Sequence, residues 1–254
     1  MPWHSFVAVG DSFTEGMSDP YPDGTYRGWA DLVARQLAAG VPDFRYANLA
    51  VRGRLFDRIV DEQVPLAERM RPDLVSFAAG GNDALRRGFD PVRLVGRFDE
   101  VVGRLGGAGT DVIIFRFADV SRRLPGRRLI LPRVEILNRA VGETAQRHGA
   151  HLVDLWSDEA FHDPLLWSVD RLHLNTLGHR RVAARVLAEL GVGSDPLWLS
   201  APEPGPVLSW AAHRAADARW ARQHFAPWVR RRLTGRSSGD AVAAKRPTLR
   251  PLSD

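Results

Sequence analysis

Short apolar runs alternate with longer amphipathic stretches along this chain. Five runs read as strands: residues 6–9, 44–48, 74–78, 112–117 and 151–155. Each is short and mostly apolar, the pattern of strands covered on both faces of a parallel sheet. Between them the periodicity predicts helices over 28–39, 55–69, 91–105 and 129–148, with a last one over 176–190. In the first of these the apolar positions 29, 30, 32, 33 and 37 form one stripe at helical spacing. Strand–helix alternation repeated in this way predicts an α/β fold built on one parallel sheet. Its crossovers should be right-handed. Its working residues should gather in the loops at the carboxyl ends of the strands.

Two of those loops, 118–128 and 156–172, are longer than usual and are expected to shape a pocket. Trp156, Phe161 and Trp167 in the second fit either core packing or a pocket wall. From residue 194 the character changes to a proline-rich linker. Residues 209–232 then read as helical, with Pro227 as a break or kink. Residues 234–254, rich in Gly, Ser, Pro and Arg, read as extended or disordered. The expected division is an α/β domain over 1–193 and a basic extension with a flexible tail over 194–254.

Composition narrows the picture further. The chain has 254 residues, 44% hydrophobic and 26% charged, enough to bury one sizeable core. It has no cysteine, which excludes a disulfide framework, a thiolate nucleophile and Cys-ligated zinc. No run of 18 apolar residues predicts a membrane span, and the N-terminus lacks the pattern of a secretory signal. The expected location is cytoplasmic. The net charge is +5, and Lys245 is the one lysine among the basic residues. From Gly205 onward there are ten basic and three acidic residues, so the excess sits in the extension. A basic helix carrying Trp210, Trp220, Phe225 and Trp228 suits packing on the body, an anionic membrane surface or a protein partner. No nucleic-acid-reading module is present, and none is expected to bind.

Four turns then carry the chemistry. Gly10-Asp11-Ser12 follows the first strand, and Asn48 to Gly53 the second. Gly80-Gly81-Asn82-Asp83 follows the third, and Asp170-Arg171-Leu172-His173 follows the fifth. All four fall at predicted carboxyl ends. Together they supply the parts for acyl transfer. Ser12 is the candidate nucleophile, which needs a base to take its proton. His173 is that base, and Asp170 is spaced to hold the imidazole in the right tautomer. Asn82 through its side chain, and Gly53 and Ser12 through backbone N–H groups, are candidate donors to an oxyanion. Taken singly, each has a plainer account. Ser12 and Asn82 suit turns, Gly53 suits a positive φ, and Asp170 with His173 suits two-thirds of a metal site. No third ligand has suggestive spacing, so no metal is expected.

The order of the motifs, G-D-S-F-T-E-G, then Gly53, G-G-N-D and D-R-L-H, resembles the SGNH hydrolases, the GDSL-type esterases and lipases. The resemblance spans about residues 6–190. It implies a flavodoxin-like three-layer sandwich with strand order 2-1-3-4-5. It implies Ser12, Asp170 and His173 as the catalytic triad and Ser12, Gly53 and Asn82 as the oxyanion hole. It implies no cofactor. A small ester or lysophospholipid-like molecule is the substrate it suggests. An acyltransferase using the same site, or a non-enzymatic scaffold binding through the basic extension, are the rival readings. The oligomeric state is left open.

Overall fold

The computed structural model describes residues 3–107, 109–203, 209–234 and 237–252. Six strands form one sheet: β1 (Ser5–Gly10), β2 (Arg45–Asn48), β3 (Leu74–Ala78), β4 (Asp111–Arg116), β5 (His151–Asp154) and β6 (Arg246–Pro251). Their order is β5-β4-β3-β1-β2-β6. The first five strands are parallel and keep the expected order 2-1-3-4-5. Alternate side chains go to opposite layers. Phe6, Ala8, Ile113 and Phe115 face one core, while Val7, Val9, Val112 and Ile114 face the other. Both faces are covered, which is why these strands read as continuous apolar runs. Each such buried aliphatic or aromatic side chain contributes about 1.5–3 kcal/mol.

Helices α1 (Ser12–Glu15), α2 (Gly28–Ala38), α3 (Phe56–Glu62), α4 (Val64–Met70), α5 (Gly81–Ala84), α6 (Pro91–Gly106), α7 (Arg127–His148) and α8 (Thr176–Glu189) connect the strands. Trp29 and Leu37 of α2 pack with Val182 and Val186 of α8 on one face. Phe56 of α3, Phe98 of α6 and Val141 of α7 fill the other. The single helix expected over 55–69 is two. Pro65 has no N–H to continue a helix, and α4 starts afresh around it. Gln63, at the break, donates to Gly10 O and accepts from Gly10 N, both at 2.9 Å. The break therefore pins the end of β1.

The sheet has one strand more than the five expected. β6 runs antiparallel along the outer edge of β2, inside the stretch read as extended or disordered. Its polar and proline-rich composition gives no local strand signal. An edge strand tolerates proline because one side makes no ladder bonds. Long-range contacts hold it. Arg246 donates to Tyr46 O at 2.8 Å, and Leu252 N donates to Phe44 O at 2.9 Å. Lys245 Nζ sits 2.9 Å from Asp31 and 3.0 Å from Tyr26 O. Between α8 and β6, the extension forms α9 (Trp210–Trp220), a wide turn over Ala221–Phe225 and α10 (Ala226–Leu233). Among the described residues, no helix is long and apolar enough to cross a membrane.

Candidate active site

β1 ends in a tight packing contact that only glycine fits. A Cβ on Gly10 would lie 2.5 Å from Thr14 Oγ1 and 2.8 Å from Ala78 O. The chain then turns into α1, with Asp11 as its N-cap, accepting from Phe13 N. Ser12 is thereby delivered to the carboxyl edge of the sheet, 8% exposed.

The loop after β5 brings the other groups to it. Asp158 fixes that loop on α8 through Arg181 and Arg185, each bonded at 2.8 Å. Asn175 caps α8 and donates to Leu165 O and Trp167 O. A turn closed by Ser168 N on His173 O then presents the histidine. His173 Nε2 lies 3.0 Å from Ser12 Oγ, and Nδ1 lies 2.6 Å from Asp170 Oδ2. Asp170 Oδ1 accepts from Leu172 N and His173 N, both at 3.0 Å. Burial alone would raise the Asp170 carboxyl. The bond and charge of His173 and the two backbone donors outweigh it and hold the group at about 2. Asp170 is thus an ionised acceptor for the Nδ1 proton, which leaves Nε2 lone-paired toward the serine hydroxyl.

Gly53 and Asn82 lie on the other side of Ser12. Gly53 has φ +71° in the turn after β2. That turn is braced by Glu15, which accepts from Arg52 N at 2.7 Å and pairs with the Arg52 guanidinium. Asn82 Nδ2 donates to Asp11 Oδ2 at 2.9 Å and to Arg54 O at 3.0 Å. Both its amide hydrogens therefore have protein acceptors in this state. Burial pushes the Asp11 carboxyl up to about 6, against the pull of Phe13 N and His173. Asp11 thus does more than brace its turn: it orients Asn82. His179, on α8, accepts from Trp29 N at 3.3 Å and bonds Met17 O at 3.1 Å. Burial lowers its imidazole to about 4, so it stays neutral and joins α8 to the α1–α2 loop.

Two cavities meet at Ser12 and His173. The first, about 110 Å³, is apolar and runs between Phe13, Leu85, Phe117, Leu137, Phe161 and Trp167. Both long loops contribute to it, with Phe161 and Trp167 serving core and wall together. The second, about 280 Å³, was not expected from sequence, because its outer wall is the extension: Trp220, Phe225, Trp228 and Ser237. The sign available in the sequence was the spacing of aromatics among the arginines there. Among the described residues, no group of three His, Asp or Glu side chains is arranged to hold a metal ion.

Residues 8–181 match the GDSL-like Lipase/Acylhydrolase family. Curated protein sequences yield no match. Several solved structures share the fold. LAE5, an alpha/beta hydrolase enzyme from the metagenome of Lake Arreo, superposes with a TM-score of 0.61 at 23% identity, covering 74% of this chain and 94% of that one. The lipase/acylhydrolase from Enterococcus faecalis gives 0.55 at 23% identity, covering 73% and 94%. Axe2, an acetylxylan esterase from Geobacillus stearothermophilus, gives 0.59 at 18% identity, covering 78% and 97%.

Proposed function

The chain belongs to the GDSL-like Lipase/Acylhydrolase family, and from that premise we propose that it hydrolyses carboxylic esters through an acyl-enzyme on Ser12. The observation that carries this reading is the unbroken line from Ser12 Oγ through His173 to Asp170, at 3.0 and 2.6 Å. Ser12 Oγ attacks the ester carbonyl carbon as His173 Nε2 takes its proton. The tetrahedral intermediate then collapses. The bond to the alcohol oxygen breaks, and His173 returns the proton to that oxygen. Water repeats the sequence on the acyl-enzyme and frees the acid and Ser12.

The Ser12 and Gly53 amides and the Asn82 side chain are the proposed oxyanion donors. For Asn82 this requires an exchange, since its hydrogens bond Asp11 and Arg54 O at rest. A developing oxyanion is the stronger acceptor and competes best against the neutral carbonyl. The small apolar cavity supports a short acyl group. An engineered apolar cavity of about 150 Å³ holds benzene, and this one is about 110 Å³.

Ser12→Ala tests the reading. Activity on 4-nitrophenyl acetate should fall by several orders of magnitude, to what binding and oxyanion donors provide. A fluorophosphonate should label the wild type on Ser12 and leave the variant unlabelled. Undiminished hydrolysis by the variant would sink the mechanism. Across 4-nitrophenyl esters from acetate to octanoate, kcat/KM should peak at four carbons or fewer and drop at least about tenfold by octanoate, each misplaced methylene being worth roughly 1 kcal/mol or more.

A further inference from the structure

We propose that the C-terminal extension builds the leaving-group side of this site and selects esters whose alcohol is bulky and negatively charged. The inference rests on the ester-hydrolase reading above. It starts from the two cavities that share Ser12 and His173. An acyl group lodged in the apolar one leaves the alcohol in the other, where His173 Nε2 must reach its oxygen.

That second space is walled by residues beyond those matching the family. Phe225 stacks between Trp220 and Trp228, with ring centroids 5.5 and 5.8 Å apart and interplanar angles of 26° and 24°. The stack gives one wall that is flat and stiff. The extension is tied to the catalytic loops at two points. Trp220 Nε1 donates to Asp170 O at 2.9 Å, and its ring lies 4.7 Å from the guanidinium of Arg171. Arg171 also bonds Asp217 at 2.6 Å. On the far side Ser237 Oγ donates to Gly53 O at 3.2 Å, and Gly239 is packed against Arg52 O so closely that a Cβ would lie 2.0 Å from it. A wall held to both the triad and the oxyanion turn is part of the site rather than a loose tail.

The chemistry of the lining selects the occupant. Arg86, Arg231 and His224 line this cavity. Among its described lining residues the one carboxylate is Asp170, already bonded to His173. Arg86 Nε is buried without a hydrogen-bond partner among the described residues. The Asp83 carboxyl lies close enough to feel the Arg86 charge, but among the described residues no carboxylate other than Asp170 faces this cavity. An anionic oxygen on the alcohol would therefore meet a cationic wall and gain a charge-assisted bond. The volume of about 280 Å³ leaves room for an alcohol larger than the acyl group beside it.

A matched pair of acetates tests this on the full chain. One is 4-acetoxybenzenesulfonate, and the other is its uncharged methylsulfonyl analogue, 4-(methylsulfonyl)phenyl acetate. The wild type should favour the sulfonate by about tenfold or more in kcat/KM, the worth of one charge-assisted hydrogen bond. The ratio should shrink as salt is raised. In Arg86→Gln it should fall to near one. Arg231→Gln, on the exposed helix surface, should lower it in a variant whose melting temperature matches the wild type. A wild-type ratio near one, or a ratio unchanged in both variants, would overturn the proposal while leaving the hydrolase reading intact. Failure to cleave either ester, with no phosphonate label on Ser12, would remove both.

Discussion

Asp83 is held where a carboxylate is costly. Burial pushes it from 3.8 up to about 6, while the bond from Phe56 N pulls the other way. The folded state therefore binds this proton more tightly than the unfolded chain does. The stability it contributes is full below the unfolded value and is lost as pH rises through about 6. Asp83→Asn keeps an acceptor for Phe56 N and never ionises. It should melt about 2–6 °C above the wild type at pH 8, with the gap closing near pH 4. The group is half-buried, so solvent screening trims the effect. Calorimetry at the two pH values checks the sign. At this scale the sequence was informative about the meeting of Ser12, Asp170 and His173, because the proposed roles each demand a particular residue type. It was silent about Asn82's bonds to Asp11 and Arg54 O, which depend on where three separate loops meet.

Among the elements, the turn after β2 is the most constrained. Gly53 has φ +71°, and a Cβ there would lie 2.3 Å from Ser237 Oγ. Gly53→Ala thus incurs backbone strain of roughly 1–2 kcal/mol and a clash with the extension. It should lower both melting temperature and kcat. Adding Ser237→Gly should recover the part due to the clash and leave the part due to φ, which a double-mutant cycle separates. The positive φ was legible from the glycine itself. The clash was not, since nothing local connects residue 53 with residue 237. The same holds for the break between α3 and α4. Pro65 announces it, but the bond between Gln63 and Gly10 that makes it useful lies 53 positions away.

In the whole molecule, the body and the extension are joined at Lys245. Its ammonium bridges Asp31 and the carbonyls of Tyr26 and Arg27, just before β6 begins. Burial raises the Asp31 carboxyl, and Lys245 is the main charge holding it down. Lys245→Met leaves that carboxylate without its cation. Breaking a fully buried pair costs about 3–5 kcal/mol. This pair is partly exposed, so a loss near the lower end is expected. Thermal unfolding should show it at neutral pH and show less of it once Asp31 is protonated. The alternation of strands and helices conveyed the parallel sheet because each βα unit is local. The sixth strand escaped because its partner is remote and the side chains that anchor it, Lys245 and Arg246, bond groups about 200 positions away.

That remoteness has a kinetic side. β2 finds β1 across some 40 residues, whereas Arg246 meets Asn48 and Tyr46 across about 200. Closing so long a loop adds little free energy, about 0.6 kcal/mol per doubling of length, but distant pairings form late. During refolding the outer edge of β2 is then open, a row of unpaired N–H and C=O groups awaiting a strand. At high concentration the strand that arrives first can come from another copy of the chain. Refolding from dilute and from concentrated solution should therefore give different yields of an interlocked dimer in which β6 has been exchanged.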